Sequence, residues 1–129
     1  MTKKQRDSVF EIFAAVPNST LHHGDCVGAD AQAHDIAIQF DFKIAIHPPE
    51  NNAKRAFKTG PKTQVLILAP RPYLERNCDI VDSCEILVAA PQVSEEEMRS
   101  GTWATIRYAR RKQCRVVLIM PNGKQVQIK

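Results

Sequence analysis

The sequence predicts one α/β domain over residues 1–129, a Rossmann-like fold with a mainly parallel sheet and helices on both faces. Three observations predict it. Short, continuously apolar runs ("FKIAI", "VLILA", "EILVAA", "RVVLIM") alternate with segments of helical period, the pattern of strands buried on both faces by crossover helices. The runs end in proline, glycine or polar clusters, which close strands and open loops. At 129 residues the chain can bury one ordinary core but not two.

Each element follows from its local pattern. Val9, Phe10, Phe13 and Val16 recur at helical spacing, so residues from about 4 to 16 form an amphipathic helix stopped by "PNS". "TLHHG" is a short strand. Ala29, Ala33, Ile36, Ala37 and Phe40 share one face of a helix running from Val27 to about Phe40. "FKIAIHPP" is the next strand, and "ENNAKRAFKTGPKT" is a polar connection without sustained period. After "VLILA", Leu74, Cys78 and Val81 mark a helix with Pro72 in its first turn. "EILVAAP" is a buried strand, "QVSEEEMRSG" a charged loop, and "TWATIRYARRKQ" a helix with Trp103, Ile106 and Ala109 inward. "RVVLIMP" is the last buried strand, and "GKQVQIK" an edge strand.

A net charge of +4 and a pI near 9.0 favour anionic partners only weakly, because solvated helix faces carry basic runs routinely. The first residues, "MTKKQRDSVF", hold no apolar stretch of signal-peptide length, and no run approaches the roughly 18 residues of a membrane span. A cytoplasmic protein is the expectation, with no membrane partner. Cys26, Cys78, Cys84 and Cys114 show no C-x-x-C pairing, which argues against disulfides in a reducing compartment and against structural zinc. His22, His23, His34 and His47 match no metal-ligand spacing, and neighbours on a strand point to opposite faces, so no metal and no cofactor are expected.

In an open parallel sheet the ligand sits where strands end and helices begin. Three loops qualify. His23, Gly24, Asp25, Gly28, Ala29 and Asp30 form the first, in which glycines let backbone N–H groups converge and the helix start offers its positive dipole end to an anion. Its carboxylates repel phosphate; either they bind sugar hydroxyls or Asp30 complements the helix dipole. Cys26, beside the same helix start, is either a nucleophile or a small buried thiol. The second loop, with Arg99, Ser100, Gly101, Thr102 and Trp103, presents another helix start, where capping is the plain alternative. Trp103 either stacks on a base or packs into the sheet. In the third, Arg76 could fork onto a phosphate or join a surface ion pair, and Asn77 could read a base or ribose. Neither G-x-G-x-x-G nor G-x-x-x-x-G-K-[ST] is present, which disfavours ordinary dehydrogenases and NTPases.

Together, "HGDCVGADAQAH", "YLERN", "LVAAP" and "RSGTWATIRYAR" resemble the SLOG superfamily, Rossmann-like domains related to the lonely-guy phosphoribohydrolases and to DNA-processing protein A. The resemblance spans about Leu21 to Pro121. It implies a cleft for a nucleotide or nucleotide-derived phosphate ligand, walled by the Gly24–Asp30 loop and the Gly101–Thr102 helix start. The hydrolase branch carries P-G-G-x-G-T-x-x-E; here Gly101–Thr102 remains and the glutamate position falls on Thr105, which cannot serve as acid or base at neutral pH. The expectation is therefore binding or sensing, passed on through self-association as a homo-oligomer or through a partner. The alternative is an N-glycoside hydrolase or nucleoside-processing enzyme using Asp25, Asp30 or Glu97. A third reading, from the resemblance to DNA-processing protein A, is single-stranded DNA binding through the basic stretch Arg107 to Lys112, without the aromatic platform usual for it.

Overall fold

The computed structural model describes residues 1–92 and 101–128. Helix α1 spans Lys3–Ala15, β1 Thr20–His23, α2 Ala29–Gln39, β2 Lys43–Ile46, β3 Val65–Ile67 and α3 Tyr73–Asp82. Strand β4 follows at Ile86–Ala89, then α4 at Gly101–Arg111, β5 at Arg115–Ile119 and β6 at Gln125–Ile128. The fold is mixed α/β. Among the described residues no helix is long and apolar enough to cross a membrane.

The strands form two three-stranded sheets rather than one. The first is wholly parallel in the order β1-β2-β3, with Leu21 opposite Ile44 and Ala45 opposite Leu66. The second has the order β4-β5-β6, β4 and β5 parallel and β6 antiparallel, so "GKQVQIK" does supply an edge strand. β1 and β4 each have one edge without a strand partner, and residues of both line a cavity of about 540 Å³.

Each sheet has its own helices. Val9 and Phe13 of α1, Ile36 and Ala37 of α2, and Ile44 and Ile46 of β2 make one cluster; Phe42 and Val65 join it. Val81 of α3, Trp103, Ile106 and Ala109 of α4, and Val116 and Leu118 of β5 make the other. β5 bridges the two because successive strand side chains alternate in direction: Val116 and Leu118 enter the second cluster while Ile119 enters the first. Both faces of this strand are therefore buried, as its unbroken apolar run requires.

Helix α1 starts with a full capping box, Thr2 accepting from the Gln5 N–H while the Gln5 side chain accepts from the Thr2 N–H. The same Gln5 amide, 2% exposed, donates to the carbonyls of Pro91 (3.0 Å) and Ile119 (2.9 Å). One side chain thus ends a helix and docks it on the far ends of two strands. The predicted helix from Val27 begins two residues later, because Gly28 takes φ 94° and the Val27 N–H bonds the Lys54 carbonyl instead. In the polar connection only Asn52–Lys54 forms a short 3-10 turn. Without a crossover helix over it, β3 leaves Leu66 61% exposed.

Ile119→Ala should cost about 3 kcal/mol, the usual range for emptying a fully buried aliphatic position, because Ile119 is 0% exposed and links the second sheet to the first core. Urea denaturation would measure it; a loss under about 1 kcal/mol would mean that the two clusters are not coupled through β5.

Candidate functional site

At the carboxyl end of β1 the chain turns sharply, and its two carboxylates turn inward with it. Asp25 sits at φ 57°, a left-handed conformation that Asp tolerates better than most residues, and is 0% exposed. Its Oδ2 accepts from Arg55 Nε at 2.8 Å and its Oδ1 from the Lys58 N–H at 2.8 Å. Asp30, in the first turn of α2, reaches back: its Oδ2 accepts from the N–H groups of Gly24 (3.0 Å) and Cys26 (3.3 Å). Burial pushes the Asp30 carboxyl above its ordinary value, against the N–H of Cys26 and the Arg76 charge.

Arg76 holds the strand ends. It is 2% exposed, and its Nη1 donates to the carbonyls of Gly24 and of His47 (3.1 Å), the residues just after β1 and β2. Its Nε donates to Asn77 Oδ1 at 2.8 Å, and its Nη2 lies 3.6 Å from the Cys26 sulfur. Parallel strand ends leave carbonyls that must find donors once buried, and a buried guanidinium supplies several. The phosphate fork expected of Arg76 is therefore corrected: its Nη1 and Nε serve the protein's own acceptors. Gly24 makes this possible, since a Cβ there would collide with the Arg76 guanidinium.

The histidines form two pairs on opposite sides of β1. His22 Nδ1 lies 2.9 Å from His47 Nε2, and His23 Nε2 lies 2.9 Å from His34 Nδ1. The Asp25 N–H donates to His23 Nδ1 at 2.9 Å, so that nitrogen is the acceptor. It follows that His23 Nε2 carries the proton and donates to His34 Nδ1. His34 Nε2 then donates to the Thr59 carbonyl at 2.9 Å. Every atom in this chain is satisfied by neutral rings. Burial, with the neighbouring His34, lowers His23 to about 4, and burial also lowers His22 and His47.

A cavity of about 520 Å³ gathers the predicted loops. His23, Gly24, Gly28, Ala29, Asp30, Arg76, Asn77, Gly101, Thr102 and Trp103 all line it, so the two glycine-bearing helix starts do share one crevice. Asp25 does not line it; both its oxygens are engaged with Arg55 and Lys58, which corrects its expected place as a ligand or catalytic group. Glu97, Arg99 and Ser100 lie outside the described residues. Gly101 was expected to admit a ligand; instead the Tyr73 hydroxyl packs where its side chain would be. Trp103 is 5% exposed and belongs to the core cluster, so packing prevails over stacking as its main role. The Cys26 thiol is pushed up by burial and by Asp30, opposite to what a nucleophile needs.

Sequence reading missed Lys54, Tyr73 and Thr105 as lining residues. "PYLERN" carried a signal for Tyr73, an aromatic at a helix start beside Arg76; its ring lies 5.3 Å from the Arg76 guanidinium carbon and the residue is 46% exposed. Among the described residues no acceptor is bonded to the N–H groups of Gly28, Ala29 and Asp30 at the start of α2. The basic residues Arg110 and Arg111 stand in the last turn of α4, roughly 14 Å along its axis from Gly101, where cations complement the helix dipole. No family model, no curated protein and no solved structure matches this chain.

The histidine chain sets a pH dependence. With its folded value near 4 and an ordinary value of 6.5, the unfolded chain binds a proton between those pH values and the folded chain does not. The stability from His23 is thus full above pH 6.5 and falls by roughly 3 kcal/mol as pH drops to 4. Asp30, raised on folding, works in the opposite direction as pH rises above its ordinary value of 3.8. His23→Gln should therefore flatten the slope of unfolding free energy against pH by about one proton between pH 6.5 and 4.5. Equal slopes in the two proteins, by urea denaturation, would show that His23 is protonated in the fold.

Proposed function

We propose that the chain is a SLOG-like, single Rossmann-like domain that binds a nucleotide or nucleotide-derived phosphate in the 520 Å³ cavity without turning it over. The observation that carries this reading is the convergence, on one cavity, of the unpaired N–H groups at the start of α2 with the start of α4. The positive dipole end of α2 in this crevice favours an anion. Lys54 and Arg76 add positive charge against Asp30 among the described lining residues. Tyr73 offers a half-exposed ring on which a base can stack, and Asn77, its Oδ1 held by Arg76, keeps its amide N–H groups for a base or ribose. The free edges of β1 and β4 both line this cavity and its neighbour, which supports placing the ligand where an α/β strand order reverses.

Binding is favoured over cleavage by Thr105. It lines the cavity at the position where the resemblance puts the hydrolase glutamate, and its hydroxyl donates to the Gly101 carbonyl at 3.0 Å. One observation supports the enzymatic reading: Asp30 is a lining carboxyl with its proton affinity raised, the property of a general acid. Its Oδ2 is occupied by two backbone N–H groups, a positioning arrangement.

Thr102 is exposed at the start of α4 and lines the cavity. A carboxylate there suits the helix dipole and repels a phosphate. Thr102→Glu should leave the melting temperature unchanged or slightly raised while weakening adenosine 5′-monophosphate at least about tenfold by calorimetry. Unchanged affinity would remove this crevice as the site. Chromatography of the same incubations tests turnover, since free base that disappears in Asp30→Asn would replace the binding reading with the hydrolase one.

A further inference from the structure

The polar connection between β2 and β3 is held against the start of α2 by one carboxylate. Asp25 bonds Arg55 Nε and the Lys58 N–H through its two oxygens, and its carbonyl accepts from the Ala56 N–H at 2.7 Å. Cys26 and Arg55 form an isolated antiparallel bridge, and the Val27 N–H donates to the Lys54 carbonyl at 2.9 Å. The segment thus runs beside the α2 loop like a short added strand. Phe57 within it takes φ 55°, a left-handed conformation costly for a bulky residue, with the Arg55 guanidinium 4.5 Å from its ring. Such a conformation persists only where its surroundings over-determine it, and Asp25 binds the residues on both sides.

The consequence is at Lys54. It closes the 3-10 turn whose Asn51 cap accepts from the Ala53 N–H, and it lines the same cavity as the α3 residues Arg76 and Asn77. Among the described residues no carboxylate pairs with it. Arg76 is largely consumed by carbonyls, so among the described lining residues Lys54 is a side-chain cation whose charge is left for a guest.

We propose that Asp25 is the positioning residue of the site: it clamps the segment 51–58 onto the start of α2 so that the Lys54 ammonium meets the phosphate of the bound nucleotide. This rests on the nucleotide-binding reading above. The clamp explains a fully buried aspartate next to an anion site, where an exposed one would repel the ligand. Its charge is spent on Arg55, and its effect on the cavity is to bring in the opposite charge.

Calorimetry of the full chain with adenosine 5′-monophosphate tests it. Lys54→Gln should weaken binding by about tenfold and Lys54→Arg by less than about threefold, the scale of one charge-assisted contact. Asp25→Asn should lose as much as Lys54→Gln, and the double variant should be no weaker than Asp25→Asn alone, because a lysine no longer delivered has nothing left to lose. If Asp25→Asn fails to fold, Arg55→Gln removes the other half of the ion pair and takes its place in the same cycle. Wild-type protein that binds no nucleotide would overturn the underlying reading and this proposal with it. Wild-type binding with Lys54→Gln unimpaired, or losses that simply add, would overturn this proposal alone.

Discussion

The carboxyl ends of β1 and β2 are organised by one buried guanidinium. Strand ends in a parallel sheet leave carbonyl oxygens that need donors, and here two of them, those of Gly24 and His47, meet at a buried position. Arg76 reaches both from the first half of α3. Burying a cation is costly unless it is paired and hydrogen-bonded, and Asp30 supplies the nearby negative charge while itself bonding the N–H groups of Gly24 and Cys26. The glycine is required at the meeting point because any side chain would occupy the guanidinium's place. The α2 loop, the α3 start and two strand ends are therefore a single hydrogen-bonded object.

That object explains why the polar residues nearest the cavity are mostly turned away from it. His23 and His34 satisfy each other, with Asp25 N–H at one end of the chain and the Thr59 carbonyl at the other. Asp25 serves the neighbouring segment, and Arg76 serves the strands. Among the described lining residues, what is left is a set of backbone N–H groups, Lys54, the Asn77 amide, Tyr73 and the hydroxyl of Thr102. Donors outnumber acceptors in that set, and a donor-rich crevice at the start of α2 suits an anionic oxygen.

Strand and helix order were legible because periodicity is a local property: the apolar runs and the Val9–Phe13 and Trp103–Ile106–Ala109 faces each declare themselves within a dozen residues. The Gly24 loop and Gly101 line one cavity as expected, but the expectation assumed a single sheet edge where the strands form two sheets. The division of labour within the site was not legible. Arg76 and a phosphate-binding arginine look alike in sequence, and only the three-dimensional proximity of the Gly24 and His47 carbonyls shows what consumes it. Asp25 and Asp30 stand five residues apart in one loop, yet one faces Arg55 and the other the loop backbone. Lys54 was hidden for a different reason: its segment has no period at all, and its position comes from a contact with Asp25 about thirty residues away in the chain. The split into two sheets was equally beyond local pattern, because it depends on how two helix pairs share a middle.

The placement of Asp30 bears on whether such a crevice holds or cuts. A general acid must present its protonated oxygen to a leaving group, and a nucleophile-activating base must reach a water; both need a carboxyl that is free to face the guest. Oδ2 of Asp30 is tied into the loop by two N–H groups, and its removal would release the same donors that shape the α2 turn. A group so committed is suited to holding geometry. The threonine at position 105 is committed too, its hydroxyl donating to the carbonyl one helical turn back. With Asp30 Oδ2 and the Thr105 hydroxyl both bonded into the backbone, the described part of the crevice supports the proposal of binding over that of cleavage, and Glu97 lies outside the described residues.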